Sequence, residues 1–404
     1  MRFIHAADIH LDSPQAGMTR RDPDLARLTA TATRDAFTNL VDQAISQDVA
    51  FLLIAGDLYD AEHKDYETGL FFAREMRRLA RPCIMIHGNH DSASQITKSL
   101  HPPPNVTILP TRKPGSHRLE QHNVAIHGQS FQGRAETEDL AARYPDPVAG
   151  AFNIGLLHSS MEDPGDHARY APCRTDTLVA RNYQYWALGH VHTRATLHER
   201  PWAHFPGNTQ GRHVRETGPR GATLVEVEAG QVQSVAFLAT DVLRWAVIPI
   251  DATGMQSLET LMAQLRFELE SATLAAEARP LIARVVLNGA TPLHAALLSD
   301  PAGIDAQCRA AAAAVGAPVH IERVKLRTRP IETGSSDTAA LEHAVRSALA
   351  DPTVVAALLK DFERLTAILP AGVAIEIPRT ADDLAALQDD AWSVIAHALT
   401  ADPA

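Results

Sequence analysis

Nowhere does the chain hold the roughly eighteen continuous apolar residues that a membrane-spanning helix requires, so a helical membrane protein is excluded. Cysteine is scarce. Cys83, Cys173 and Cys308 lie far apart, at no spacing that suits a disulfide framework or a thiolate metal site. A reducing cytoplasm is the expected setting, and the chain opens directly on an apolar strand that ends in polar residues. A surplus of positive charge is missing too: the formal net charge is −11, which excludes a generally basic nucleic-acid coat. That acidity is uneven, with four basic against twelve acidic side chains over residues 331–404. Internal repeats are absent, as is low complexity beyond an abundance of alanine.

What the chain has is a globular composition. Its 404 residues are 45% hydrophobic and 21% charged, enough for two or three domains. Residues 1–242 alternate short apolar runs with helical stretches. The spacing of Leu28, Ala32, Phe37, Leu40, Val41, Ala44 and Ile45 predicts a helix over 20–47, and Thr68–Leu79 a second. Strands are predicted at Phe51–Ala55, Pro82–Ile86, Asn105–Leu109, Asn123–His127, Phe152–Leu157, Tyr185–Leu188 and Ala222–Val227, with a turn region rich in Pro, Lys and Arg between 109 and 123. The fold class is therefore α/β, a layered domain with central β-sheets flanked by helices. Near Val242 the rhythm changes. Strands at Ala246–Ile250, Leu281–Leu287 and Val319–Thr328 alternate with helices at Met255–Ala272 and Asp305–Val315, which predicts a small α/β capping domain over 243–330. A polar linker, Ile331–Asp337, leads into a helical C-terminal region over 331–404. Val354, Leu358, Phe362, Leu365 and Leu369 share one helical face there, and a last helix is predicted at about Ala381–Leu399. Its acidity and position suit docking of a partner.

Five strands end in ligand types. Met1–His10 ends in Asp8-Ile9-His10, Phe51–Ala55 runs into Gly56-Asp57, and Cys83–Ile86 runs into Gly88-Asn89-His90-Asp91. Asn153–Leu157 ends on His158, and Gly189-His190-Val191-His192 follows the next strand. Any one of these histidines alone reads more readily as a core or surface residue; the joint pattern reads as a metal site. Asp and His two apart converge on one ion only if the chain turns there. Asp57 follows Gly56, whose missing Cβ permits close approach, and its carboxylate suits sharing between two cations. Asn89 adds a neutral oxygen, and His158, His190 and His192 complete the set. About four protein ligands then serve each metal, leaving room for a bridging water between ions about 3.5–4 Å apart, as in two-metal hydrolases. Mixed oxygen and imidazole donors suit Mn²⁺, Fe or Zn²⁺ better than Ca²⁺. His90, not needed as a ligand, is placed to stabilise or protonate a leaving oxygen, with Asp91 as the residue expected to orient its ring.

In this order the five motifs resemble those of the calcineurin-like metallophosphoesterases. Gly56-Asp57-Leu58-Tyr59-Asp60, Pro206-Gly207-Asn208-Thr209 and Glu216-Thr217-Gly218 are similar to the DNA repair exonucleases of the SbcD/YhaO-like group. The resemblance covers residues 1–242 and extends to layout alone beyond them; Tyr59 stands where phenylalanine is commoner. It implies one metal on Asp8, His10, Asp57 and His192, a second on Asp57, Asn89, His158 and His190, and His90 as the catalytic histidine. It further implies Mn²⁺ dependence, a DNA substrate, a coiled-coil, SMC-like ATPase partner and a homodimer. Two rival functions stand beside this one: a phosphodiesterase or phosphatase for a small nucleotide-like substrate, and a non-catalytic scaffold for the ATPase.

Several residues carry two readings. Asp60 is either the acceptor behind a site imidazole or a helix N-cap. His87 and His127 read as structural. Arg212 and His213, after Gly211, face either nucleic acid or bulk solvent. Arg323, Lys325, Arg327 and Arg329 alternate along one strand and so share a face. That face is either a phosphate-contacting strip or a guard against edge-to-edge aggregation.

Overall fold

Unbroken apolar runs become strands buried on both faces. The computed structural model describes residues 1–13, 23–60, 65–94, 102–133, 136–161, 170–331 and 339–368, with eight further positions between 377 and 392. In chain order the first strands are β1 (Arg2–Ala6), β2 (Phe51–Ala55), β3 (Cys83–Ile86), β4 (Val106–Ile108), β5 (Gly115–Leu119), β6 (Val124–Gly128), β7 (Phe152–His158) and β8 (Tyr185–Gly189). After them come β9 (Ala195–Glu199), β10 (Trp202–Phe205), β11 (Gly221–Glu228) and β12 (Gln231–Ala239). They form two six-stranded sheets, ordered β12-β11-β1-β2-β3-β4 and β5-β6-β7-β8-β10-β9. The runs β1-β2-β3-β4 and β6-β7-β8-β10 are parallel, so within each run the strand ends lie along one edge.

Side-chain alternation explains why these strands carry no polar face. Phe3, Phe51, Leu53, Ile84 and Ile86 meet Ile126, Ile154, Leu156 and Tyr185 in one buried core. The intervening residues Ile4, Leu52, Ile54 and Met85 pack in a second core. That core includes Phe37, Leu40 and Val41 of α1 (Pro23–Ser46) and Phe72 and Met76 of α2 (Tyr66–Leu79). Phe3 stacks on Phe51 with ring centroids 4.9 Å apart and meets Tyr185 edge-on at 5.4 Å. Burying each such side chain stabilises the fold by about 1.5–3 kcal/mol.

The expected turn region between 109 and 123 contains β5, and β9, β10 and β12 were likewise not foreseen. β5, β9 and β12 are edge strands, half exposed and held by a single neighbour; β5 and β9 carry no run of apolar residues, whereas the apolar run Val235–Ala239 of β12 was passed over.

The first compact unit ends at Arg244 and the second begins at Trp245. The second is built on the sheet β13-β14-β15, made of Arg244–Asp251, Leu281–Ala290 and Val319–Arg329. Helices at Leu258–Ala275, His294–Ser299 and Pro301–Ala313 contribute Leu261, Leu265, Leu269, Leu297, Ile304 and Cys308 to its core, against Ile248, Val285, Leu287 and Ile321. Ser257 and Asp300 cap the two longer helices by accepting from Thr260 N–H and Gly303 N–H. The strip-bearing strand β15 is parallel to β14 and, among the described residues, is an edge strand. Helices follow at Ala339–Ala350 and Pro352–Ile368. Most of the linker, and the helix expected at 381–399 except for a few positions, lie outside the described residues.

Candidate metal centre

The candidate ligands sit at or just beyond the ends of parallel strands, His158 as the last residue of β7 and Asn89 as the first of a short helix after β3. Asp8 and His10 both take left-handed backbone angles, φ 51° and 47°, so the chain bends twice and both side chains reach one side. Asp57 (φ 53°) and His190 (φ 101°) do the same. Left-handed geometry costs a non-glycine residue about 1–2 kcal/mol, and here hydrogen bonds enforce it. Asp8 N–H donates to Gly56 O at 3.1 Å, His10 N–H to Asp57 O at 3.0 Å and Leu11 N–H to Leu58 O at 2.9 Å. His190 N–H in turn donates to the Asp8 carboxylate at 3.0 and 3.1 Å. Further out, Asp12 accepts from Arg34 Nε at 2.7 Å and Thr68 Oγ1 at 2.5 Å, which pins the loop to α1 and α2.

The seven residues come together around Asp57. Its Oδ2 lies 3.5 Å from His158 Nε2 and 3.8 Å from His10 Nε2, while Oδ1 accepts His90 N–H at 3.0 Å. His192 Nε2 is 3.9 Å from Asp8 Oδ1, and His158 Nε2 is 3.0 Å from Asn89 Oδ1. The rings of His10 and His192, and those of His158 and His190, have centroids 5.2 Å apart. Ligand atoms of Asp8, His10 and His192 lie within 4.8 Å of one another, as do those of Asp8, Asp57 and His158.

This donor set fits divalent cations on three grounds. Both ring nitrogens of His10 are buried without a hydrogen-bond partner, an arrangement costly unless something else binds them. Asp8 and Asp57 are 1% and 2% exposed in one cluster, and burying two carboxylates costs several kcal/mol each unless positive charge answers them. Gly88 and Gly56 leave the space that the cluster needs, because a Cβ at the first would overlap the Asp57 carboxylate and at the second the His158 ring.

The electrostatics follow from the same crowding. Burial works against the charge on Asp57, but His158, His10 and His90 outweigh it and hold its pKa below the usual range. Burial likewise disfavours a charged His158, yet Asp57 and Asp8 raise it to about 9. A cation binding there therefore has to displace a proton.

His90 is the second residue of the short helix α3 (Asn89–Ala93), and its side chain is 35% exposed. The expected partner, Asp91, does not orient it. Asp91 is fully buried, and its carboxylate folds back onto backbone N–H groups of Gly88 (3.0 Å), Leu58 (3.2 Å) and Tyr59 (2.8 Å). As the third residue of α3 it caps that helix and ties it to the loop after β2. Burial, then the charge of Asp57, raises its pKa to about 7. The group that meets the ring is Asp60, whose Oδ1 accepts from His90 Nδ1 at 3.0 Å. Burial opposes the positive form of His90, and the bond to Asp60 with the fields of Asp57 and Asp60 reverses that, so its pKa lies above the ordinary value.

Two more residues belong to the site without having been singled out for it. Glu216, 5% exposed, lies with Oε1 2.6 Å from His192 Nδ1, so the ring presents Nε2 to the cluster. Arg212 is 13% exposed and lies between Asp60 and Glu216. His213 stays half exposed. His127 bonds Ser116 and Asn153 and stacks on Tyr183, a fully structural placement. His87 is held neutral by burial, its pKa lowered to about 4.

Residues 1–194 match the family model described as calcineurin-like phosphoesterase, and residues 245–329 that described as metallophosphoesterase YhaO, middle domain. The chain is 36% identical over 312 residues to an uncharacterized metallophosphoesterase YhaO of Bacillus subtilis, a match that covers 75% of each chain. It is 22% identical over 314 residues to a DNA double-strand break repair protein Mre11 of Sulfolobus acidocaldarius, covering 73% of this chain and 76% of that one. A protein of the same description from Haloferax volcanii is 27% identical over 292 residues, covering 69% and 61%.

Proposed function

The chain belongs to the calcineurin-like phosphoesterase family, in the group of YhaO, and from that membership we propose a Mn²⁺-dependent phosphodiesterase that hydrolyses DNA, an exonuclease of repair. Asp8, His10, Asp57 and His192 hold one cation in this reading, and Asp57, Asn89, His158 and His190 the other. Bound cations would supply Lewis acidity toward a phosphoryl oxygen and a nucleophile at neutral pH. The remaining work falls to the chain. Asp60 takes the Nδ1 proton of His90 in hydrogen bond, which fixes the tautomer and leaves Nε2 to meet the leaving oxygen. His190 N–H anchors the Asp8 carboxylate, and Glu216 orients His192.

The observation that carries this reading is the gathering of seven donors about Asp57, with a raised-pKa histidine at the rim that is not among them. DNA as substrate is supported by the two relatives described as DNA double-strand break repair proteins. The α/β unit from Trp245 serves as a cap that screens substrate. The helices after it, where Val354 and Leu365 are exposed, serve as a docking segment for an SMC-like ATPase. No helix among the described residues is long and apolar enough to cross a membrane.

The test is digestion of end-labelled duplex and single-stranded DNA by the full chain with Mn²⁺, Mg²⁺ or chelator. Asp57→Ala should abolish cleavage and bound metal together, while His90→Ala abolishes cleavage and keeps the metal. Intact DNA ends alongside rapid hydrolysis of a small nucleotide diester would transfer the assignment to a small-molecule phosphodiesterase.

A further inference from the structure

The loop over residues 206–218 carries an arrangement that neither the family match nor the ligand set accounts for. It supplies Glu216 and Arg212 to the surroundings of His192 and Asp60, and the rings of His90 and His192 each rest on a different carboxylate. His90 Nδ1 bonds Asp60 Oδ1 at 3.0 Å, and His192 Nδ1 bonds Glu216 Oε1 at 2.6 Å. Arg212 stands between those two carboxylates, its Nη1 3.7 Å from Asp60 Oδ2 and its Nη2 3.6 Å from Glu216 Oε1.

The other oxygens are already committed. Glu216 Oε2 accepts Arg212 N–H at 2.7 Å and Asn208 Nδ2 at 2.9 Å. Asp60 Oδ2 accepts Ser13 Oγ at 2.8 Å, and that same hydroxyl accepts from Arg212 Nη1 at 3.2 Å. Arg212 is thus held at its backbone by one carboxylate and at its guanidinium by both, and all three side chains are at most 14% exposed. A planar, permanently charged fork can face two carboxylates at once; a lysine ammonium is a single point.

We propose that Arg212 is a positioning residue that sets the aim of two imidazoles together, His90 through Asp60 and Ser13, and His192 through Glu216. The proposal rests on the reading of His90 as the group that meets the leaving oxygen. It adds that the loop bearing Arg212 couples this group to a metal-holding histidine, so that disturbing one side disturbs the other.

The test uses the full chain with Arg212→Met and Arg212→Lys. Long-range ¹H–¹⁵N spectra of the metal-free proteins report ring tautomers. Hydrolysis of bis(p-nitrophenyl) phosphate with Mn²⁺ gives kcat and KM, and metal content and melting temperature report the intact fold. Wild type should show both rings protonated at Nδ1. In Arg212→Met both ring signatures should change, with kcat down by about 10- to 100-fold, the usual cost of losing an outer partner at such a site, and KM little altered. Added guanidinium should recover part of the lost kcat, while Arg212→Lys recovers neither ring. Ser13→Ala should move the His90 signature and leave that of His192 in place. Unchanged ring spectra in Arg212→Met would overturn the proposal. So would a loss of kcat that tracks metal loss and a lowered melting temperature and that guanidinium does not repair. If wild type cleaves no phosphodiester at all, the functional reading fails while the ring spectra still decide the role of Arg212.

Discussion

Replacing Asp60 with asparagine isolates one contact of the reaction. The side chain keeps its shape and loses its charge, 3.0 Å from His90 Nδ1. A hydrogen bond to a charged group is worth about 1.5–3 kcal/mol, and with the Asp60 side chain 14% exposed, solvent screens little of it. Asparagine still offers an amide oxygen to that proton, so what is lost is the charge assistance, about half of the bond; at about 1.36 kcal/mol per tenfold in rate this lowers kcat by about 4- to 13-fold. Asp60 is not among the seven donors, so bound metal should stay at the wild-type level, in contrast to Asp57→Ala. Chemistry adds a second signature. A nitrophenolate leaves without help from an acid whereas a sugar alkoxide needs the proton, so the defect should be larger on DNA than on bis(p-nitrophenyl) phosphate. A third is the pH profile. Asp60 favours the protonated ring, and without its charge the His90 pKa drops. If the protonated ring is the active form, activity is then lost at lower pH on the alkaline side. Steady-state rates on both substrates, with metal analysis of the same samples, decide the matter. Wild-type kcat on DNA for Asp60→Asn, or a loss explained entirely by missing metal, would refute the assignment.

Gly88→Ala should strip metal without removing a donor, because its Cβ would occupy the place of the Asp57 carboxylate; elemental analysis showing full occupancy would contradict that. His204 is fully buried between Thr196 and Thr223 hydroxyls, and burial, then the charge of Arg194, lowers its pKa to about 3. The unfolded chain takes up this proton below about pH 6.5 and the folded chain does not, so stability is complete above that pH and falls as the pH drops toward about 3. His204→Gln should remove about 2 kcal/mol of that loss at about pH 5, seen as a flatter plot of denaturation midpoint against pH; an unchanged slope would reject it. On β15, Arg327 and Arg329 are exposed. Replacing both with alanine should flatten the dependence of log DNA affinity on log salt by about 1 per residue if they meet phosphates. An unaltered slope accompanied by aggregation would instead assign them to edge protection.

Some of this protein can be read from the order of its residues because the physics there is local. An apolar run of four to seven residues that stops at Asp, His or Asn announces a buried strand with a ligand at its end. Parallel pairing then carries such ends to a common edge. That is why Asp8, His10, Asp57, Asn89, His158, His190 and His192 stand out together as candidate ligands in the order of residues alone. Edge strands escaped notice for the converse reason. Gly115–Leu119 and Ala195–Glu199 are held by one neighbour and half exposed, so nothing in their composition demands a strand.

Sequence alone pointed to the candidate donors and the strands that carry them, since periodicity and strand ends are properties of neighbours along the chain. Only the tertiary structure decided who holds the donors in place. Asp91 is adjacent to His90 yet turns back to cap its own helix, and the carboxylate that meets the ring comes from Asp60, thirty residues earlier. Glu216 and Arg212 reach His192 from a loop twenty or more residues downstream. Hydrogen bonds act over about 3 Å of space, and no spacing in the chain records which distant loop will close that gap.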